Sequence, residues 1–247
     1  ELVSNLGAIV VHGLFEHEGR HQNNVEWLKN LGIETYSLNL PGHGDIDEKG
    51  HIETWDENIE AIVNAYNNIS NKDKKIIFAH SYGSLVSVSA ILREKVNPDY
   101  LILSAPTFDD NYPKIIKKMS GILSKVFPKL RAPSPVNRKN LSTDKETVDS
   151  YFNDPLVFRS LTFKFGNEIT LEQKFVNENI KKLKTPTLVL HGDQDKIVPI
   201  KASENISKLE NVKFITVENS KHEILNQDTR TFVLSEIHQW FKEKRII

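Results

Sequence analysis

Short apolar runs recur along the chain and alternate with stretches in which apolar positions fall three or four residues apart. The runs predict strands at 8–11, 34–38, 75–79, 100–104, 187–191 and 213–217. Their near-continuous apolar character is that of strands buried on both faces, as in a parallel sheet. Helices are expected near 22–31, 55–70, 82–94, 201–208 and 228–244. In the last of these Phe232, Val233, Ile237, Trp240 and Phe241 recur with helical spacing. Strand and helix alternate, so the fold class is α/β: βαβ units in a mostly parallel sheet with helices on both faces. The pattern breaks between Ser104 and Thr187, a gap too long for one crossover helix and implausible as a bare loop. It implies an inserted helical lid at 107–183, with 1–106 and 184–247 forming the core. The insertion carries an apolar stripe, Ile115, Ile116, Met119, Ile122, Leu123, Val126 and Phe127, with lysines 114, 117, 118 and 125 largely opposite.

At 247 residues, 38% hydrophobic and 26% charged, the chain suits one large globular domain, or a core with an insertion. A net charge of −1 argues against nucleic-acid partners, which select strongly basic surfaces. The absence of cysteine excludes disulfides and thiolate metal sites. No run approaches the roughly 18 apolar residues of a membrane span. No secretory apolar region is visible, so a cytoplasmic location, peripheral to membrane at most, is expected. Because the first strand begins almost at once, a few residues, such as an edge strand, are expected to precede Glu1. Charge is unevenly spread: residues 105–184 hold 15 Lys and Arg against 9 Asp and Glu, so the remainder is about −7. The simpler reading is a helix with solvated lysines, the other a basic amphipathic lid that meets anionic lipid transiently.

The chemistry centres on Ala79-His80-Ser81-Tyr82-Gly83, directly after the apolar run Lys75-Ile76-Ile77-Phe78. A serine between small residues at a strand-to-helix turn is the nucleophile-elbow arrangement, in which a strained turn holds the hydroxyl exposed above the sheet. Serine needs a base to react at neutral pH, and the base needs an acid to orient it. Two later strands end in loops that supply both. His191-Gly192-Asp193-Gln194-Asp195 follows one, and Glu218-Asn219-Ser220-Lys221-His222 follows the next. His222 is the predicted base, with Asp195 or Asp193 its partner. The chain order Ser, Asp, His is that of the α/β-hydrolase fold. In such a site two backbone amides bind the developing oxyanion, here those of Tyr82 and of Leu14 in His12-Gly13-Leu14-Phe15. The remaining histidines read as structural: His12, His43 and His191 lie beside glycines in turns, and the sharp elbow is expected to send His80 elsewhere. No spacing resembles a metal site, and neither a metal nor a cofactor is implied.

Taken together, these stretches resemble the monoglyceride lipase and lysophospholipase family of serine α/β-hydrolases. The likeness runs through His12-Gly13-Leu14-Phe15-Glu16-His17-Glu18-Gly19-Arg20, Leu40-Pro41-Gly42-His43-Gly44, the elbow, Ser104-Ala105-Pro106 and the Asp and His loops. It continues into the insertion at Val148-Asp149-Ser150-Tyr151 and Asn153-Asp154-Pro155-Leu156. The resemblance implies hydrolysis of single-chain lipid esters, most directly monoacylglycerols. It also implies Asp195 as the triad acid, from the pattern His-Gly-x-x-Asp, and a polar head pocket shaped by Glu16, Arg20 and Tyr151. Glu16 and Arg20 could equally form an ion pair that only anchors the oxyanion loop. Ile122 and Leu123, on the apolar face of the lid helix, are expected to line the acyl-chain channel. The chain departs from the pattern at Ala79, at Ser84 and at Leu225, which stands where animal monoglyceride lipases carry a histidine. Lysophospholipids and simpler esters therefore stay open as substrates, and a thioesterase or peptidase would use the same triad. A non-catalytic binding member of the fold would be expected to carry a degenerate triad.

Overall fold

The computed structural model describes residues 5–109, 114–226 and 228–247. Residues 1–4 of the expected core and 110–113 of the expected insertion lie outside the described residues, as do the side chains of Lys114, Ile116 and Lys118. The strands are β1 (Leu6–Val11), β2 (Glu34–Leu38), β3 (Lys74–His80), β4 (Tyr100–Ser104), β5 (Arg131–Pro133), β6 (Ser160–Thr162), β7 (Thr187–Gly192) and β8 (Val212–Val217). Six of them form one parallel sheet in the order β2-β1-β3-β4-β7-β8, with Ile9 opposite Ile77 and Phe78 opposite Ile102. All six expected strands are present within a residue or two. The central four are buried along most of their length, whereas β2 and β8 are half-exposed, each having a strand neighbour on one side only among the described residues.

The helices are α1 (Gln22–Asn30), α2 (Asp56–Asn67), α3 (Tyr82–Leu92), α4 (Lys114–Val126), α5 (Arg138–Leu141), α6 (Lys145–Asn153), α7 (Phe163–Asn179) and α8 (Arg230–Glu243). Alternate residues of each strand face opposite ways, so the sheet builds two cores. Ile9, Val11, Ile77 and Ala79 meet Ile59 and Ile62 of α2 and Leu85 and Val88 of α3. Ala8, Val10, Ile76 and Phe78 meet Val25 and Leu28 of α1 and Val233, Ile237, Trp240 and Phe241 of α8. The expected helix at 201–208 is instead two 3-10 turns, Ile200–Ser203 and Ile206–Lys208. Its serines and asparagine compete with helical backbone bonding, and short turns suffice to bury Ala202 and Ile206.

Between β4 and β7 the chain forms α4 to α7 and a small antiparallel pair, β5 with β6. Side-chain caps set the helix starts there: Asn137 opens α5, Asp144 opens α6 and Thr162 opens α7. Phe165, Ile169 and Val176 of α7 belong to the main core, against α3. The last helix between β4 and β7 is thus seated on the main core through α3. Among the described residues no helix is long and apolar enough to cross a membrane.

Candidate active site

β3 ends at the carboxyl edge of the sheet, and the chain turns there into α3 at Ser81. Ser81 sits at φ 49°, ψ −116°, a left-handed conformation that costs a non-glycine residue free energy. Gly83 is obligatory, since a Cβ there would lie 2.5 Å from the His12 carbonyl oxygen and 2.8 Å from that of Val11. The two departures at the elbow are joined by a side-chain-to-backbone hydrogen bond. Ala79 packs fully buried between Val11 and Leu103 in the sheet, and its carbonyl accepts the Ser84 hydroxyl at 3.1 Å.

The loops after β7 and β8 bring Asp195 and His222 to that turn. His222 Nδ1 lies 2.6 Å from Asp195 Oδ2, and its Nε2 lies 2.9 Å from Ser81 Oγ. The other Asp195 oxygen accepts the amides of Ile197 and Val198, both at 2.9 Å. Burial works against the Asp195 charge, but the His222 and His191 rings outweigh it and hold the carboxyl well below its usual range. Burial likewise disfavours a charged His222 ring, and the Asp195 carboxylate, with those of Glu223 and Glu16, more than offsets this and raises its pKa from the ordinary value. Asp193, the other candidate acid, instead accepts the Ser220 amide at 3.1 Å.

A buried charged cluster underlies the His12-Gly13-Leu14-Phe15 loop after β1. Glu16 accepts the Gly13 amide at 2.6 Å, Arg20 Nε at 3.0 Å and His21 Nε2 at 2.8 Å. Arg20 also reaches Glu223 at 3.4 Å and lies 4.8 Å from the centre of the Tyr151 ring. Burial opposes the charge on Glu16, yet His21, His80 and Arg20 hold its carboxyl below the ordinary range; burial and Glu16 oppose the charge on Glu223, which His80 and Arg20 hold low. Glu16 and Arg20 thus form an ion pair, and Glu16 also holds the Gly13 amide. His12 supports the same loop structurally: Nε2 accepts the Leu40 amide at 2.9 Å, leaving Nδ1–H to donate to the Gly13 carbonyl at 2.7 Å.

One cavity opens onto Ser81 and His222. Its polar wall holds Glu16, His80, Tyr151 and Glu223, and its apolar wall includes Leu14, Val136, Leu161, Phe163 and Ile169. Arg20 stands behind that wall, and Tyr82 turns its ring away to pack on Trp55 and Phe165. Two expectations are corrected. Ile122 and Leu123 do not line the cavity; Ile122 faces outward, 58% exposed. The side of α4 turned to α7 and the cavity is Lys117, Ser120, Gly121 and Ser124, because small residues let the helices approach closely. A Cβ on Gly121 would already lie 3.3 Å from Asn167. His80, expected to point elsewhere, lines the cavity with its ring centre 5.0 Å from that of His222.

Three residues of the site escaped the sequence reading. Thr107 places its hydroxyl 3.0 Å from Ser81 Oγ, His21 holds Glu16, and Glu223 joins Arg20 to the cavity wall. A local signal existed for two of them. Thr107 directly follows Ser104-Ala105-Pro106, and Glu223 directly follows His222.

A family model described as serine aminopeptidase, S33 (Hydrolase_4) matches residues 7–229. Among curated relatives, a monoacylglycerol lipase of Mycolicibacterium smegmatis is 24% identical over 94% of this chain and 86% of its own length. An uncharacterized abhydrolase domain-containing protein of Dictyostelium discoideum is 22% identical, and the chain spans only 26% of it. Among solved structures, the monoacylglycerol lipase of Paleococcus ferrophilus superposes with a TM-score of 0.86 at 24% identity, covering 94% of this chain and 93% of that one.

Proposed function

The chain belongs to the serine aminopeptidase S33 family of hydrolases, and from that premise we propose that it cleaves single-chain lipid esters, monoacylglycerols above all. The carrying observation is the Ser81–His222–Asp195 relay, at 2.9 and 2.6 Å, opening onto a cavity with one polar and one largely apolar wall. Ser81 Oγ attacks the ester carbonyl carbon while its proton passes to His222 Nε2. The Tyr82 and Leu14 amides stabilise the oxyanion, a contribution of about 3 kcal/mol per donor. Collapse expels the alcohol, which takes the proton from His222 and leaves Ser81 acylated. Water, deprotonated by His222, then releases the fatty acid.

The acyl chain lies along Val136, Leu161, Phe163 and Ile169, so the alcohol meets Glu16, His80, Tyr151 and Glu223. Two ionised carboxylates share one guanidinium there, a field that favours an uncharged glycerol head over a phosphate. The name of the family raises peptides as substrates. Glu16 and Glu223 are the carboxylates that would hold a peptide's terminal ammonium, and Arg20 already spans both, which favours the ester. We propose residues 107–183 as the lid, with α7 as its fixed base. The outward Ile115, Met119, Ile122 and Val126 of α4 are the surface through which it meets lipid.

The test compares monoacylglycerols, lysophospholipids and aminoacyl anilides of matched size. A fluorophosphonate should label the protein once, at Ser81, and Ser81→Ala should abolish labelling and monoacylglycerol hydrolysis together. Hydrolysis that survives in Ser81→Ala would end the reading.

A further inference from the structure

On the reading of Ser81 as the nucleophile, we propose that Thr107 is a further catalytic residue, whose hydroxyl donates a hydrogen bond to Ser81 Oγ as that oxygen gains charge. The direction of the bond follows from counting protons. Asp195 Oδ2 accepts, so His222 Nδ1 carries the ring proton at their 2.6 Å contact. His222 Nε2 is then a lone pair, and the Ser81 hydroxyl spends its one proton on it at 2.9 Å. Toward Thr107 Oγ1, 3.0 Å away, Ser81 Oγ has only lone pairs to offer. Thr107 is the donor.

Ser81 Oγ has two lone pairs. One receives the Thr107 hydrogen, and the other is free to form the bond to the acyl carbon. In attack the Oγ–C bond forms and the Oγ–H bond breaks toward His222 Nε2, so negative charge builds on Oγ on the way to the transition state. A bond to a charge-bearing oxygen is stronger than one to a neutral hydroxyl, so the contact favours the transition state over the resting state. When the acyl-enzyme breaks down, the Oγ–C bond cleaves and Oγ takes its proton back from His222. The same donor stabilises it as a leaving group.

The donor is held in place from three sides. The Thr107 amide donates to the Ser81 carbonyl at 3.3 Å, its carbonyl accepts Gln173 Nε2 of α7 at 3.3 Å, and its β-branched side chain has few rotamers. Gln173 is buried in the helix seated on the main core. The first residues beyond β4 thereby reach the nucleophile from the insertion, a part of the chain the relay itself does not use.

Thr107→Val keeps the shape and removes the hydroxyl, and Thr107→Ser keeps the hydroxyl and removes the methyl. Both are measured for kcat and KM on a short soluble ester, for the second-order rate of fluorophosphonate attachment to Ser81, and for thermal midpoint. Thr107→Val should lose about tenfold in kcat and in attachment rate, with KM within about twofold. Thr107→Ser should recover to within about threefold of the parent. Thr107→Ala answers the same question if the valine variant does not fold. Attachment at or above the parental rate in the hydroxyl-free variant would overturn the role, as would a loss that serine does not rescue. Failure to label Ser81 in the parent protein would instead overturn the ester-hydrolase reading itself.

Discussion

On the proposed mechanism His222 sets the pH at which Ser81 reacts, because only its neutral ring can accept the Ser81 proton across their 2.9 Å contact. Burial lowers its pKa, and Asp195 and the nearby Glu223 and Glu16 carboxylates raise it further than burial lowers it. Activity should therefore be absent where the ring is protonated and rise with pH through a value displaced upward from that of an ordinary histidine. The acid limb of kcat/KM, which reports the free enzyme, should show that displacement. Asp195→Asn should lower kcat by at least about 10³-fold and move the limb to lower pH, since the largest raising influence is gone. A limb that stayed put would mean another group titrates. That Ser81, His222 and Asp195 meet was legible because each follows a strand run that ends at the same edge of the sheet. Thr107, His21, His80 and Glu223 were not. Their roles depend on which side chains the loops bring within reach, as in the 3.0 Å approach of Thr107 to Ser81.

The helix α4 shows how far an amphipathic pattern reaches. Its apolar stripe was expected to face the substrate channel, yet Ile115, Met119, Ile122 and Val126 lie outward. Hydrophobic periodicity identifies a face but not the element that covers it. Close packing through Ser120, Gly121 and Ser124 against α7 decided the orientation. The apolar lining of the cavity comes instead from α7 and the segment before it, with Leu161, Phe163 and Ile169. Two substitutions separate these roles. Ile169→Asp should depress hydrolysis of long-chain esters at least about tenfold more than that of butyrate esters, because it puts a charge where the alkyl chain lies. Ile122→Asp should leave both soluble activities within about twofold, since an exposed position costs little to change. The reverse ranking, measured with p-nitrophenyl esters of graded length, would return the channel to α4.

Charge divides the chain unevenly, about +6 across residues 105–184 and −7 elsewhere, and the outward face of α4 lies within the positive part. Vesicles containing anionic lipid should therefore bind the protein more tightly than neutral ones. Raising salt from about 50 to 500 mM should remove most of that difference, because the Debye length shrinks severalfold. Ile122→Asp should weaken vesicle binding at every salt concentration, which sedimentation with the vesicles would show. Equal binding to anionic and neutral vesicles would leave the positive charge without a role at the membrane. Local sequence carried a great deal: buried parallel strands announce themselves as apolar runs, and an elbow needs a small residue such as Gly83 wherever it occurs. The order of Ser81, Asp195 and His222 placed all three at one edge of the sheet, because every parallel strand ends on the same side. The facing of α4, the seating of α7 on the core and the Glu16–Arg20–Glu223 cluster were decided only when distant segments packed. Such contacts follow from shape and charge across tens to hundreds of residues of chain, as between Arg20 and Glu223, and no local periodicity encodes them.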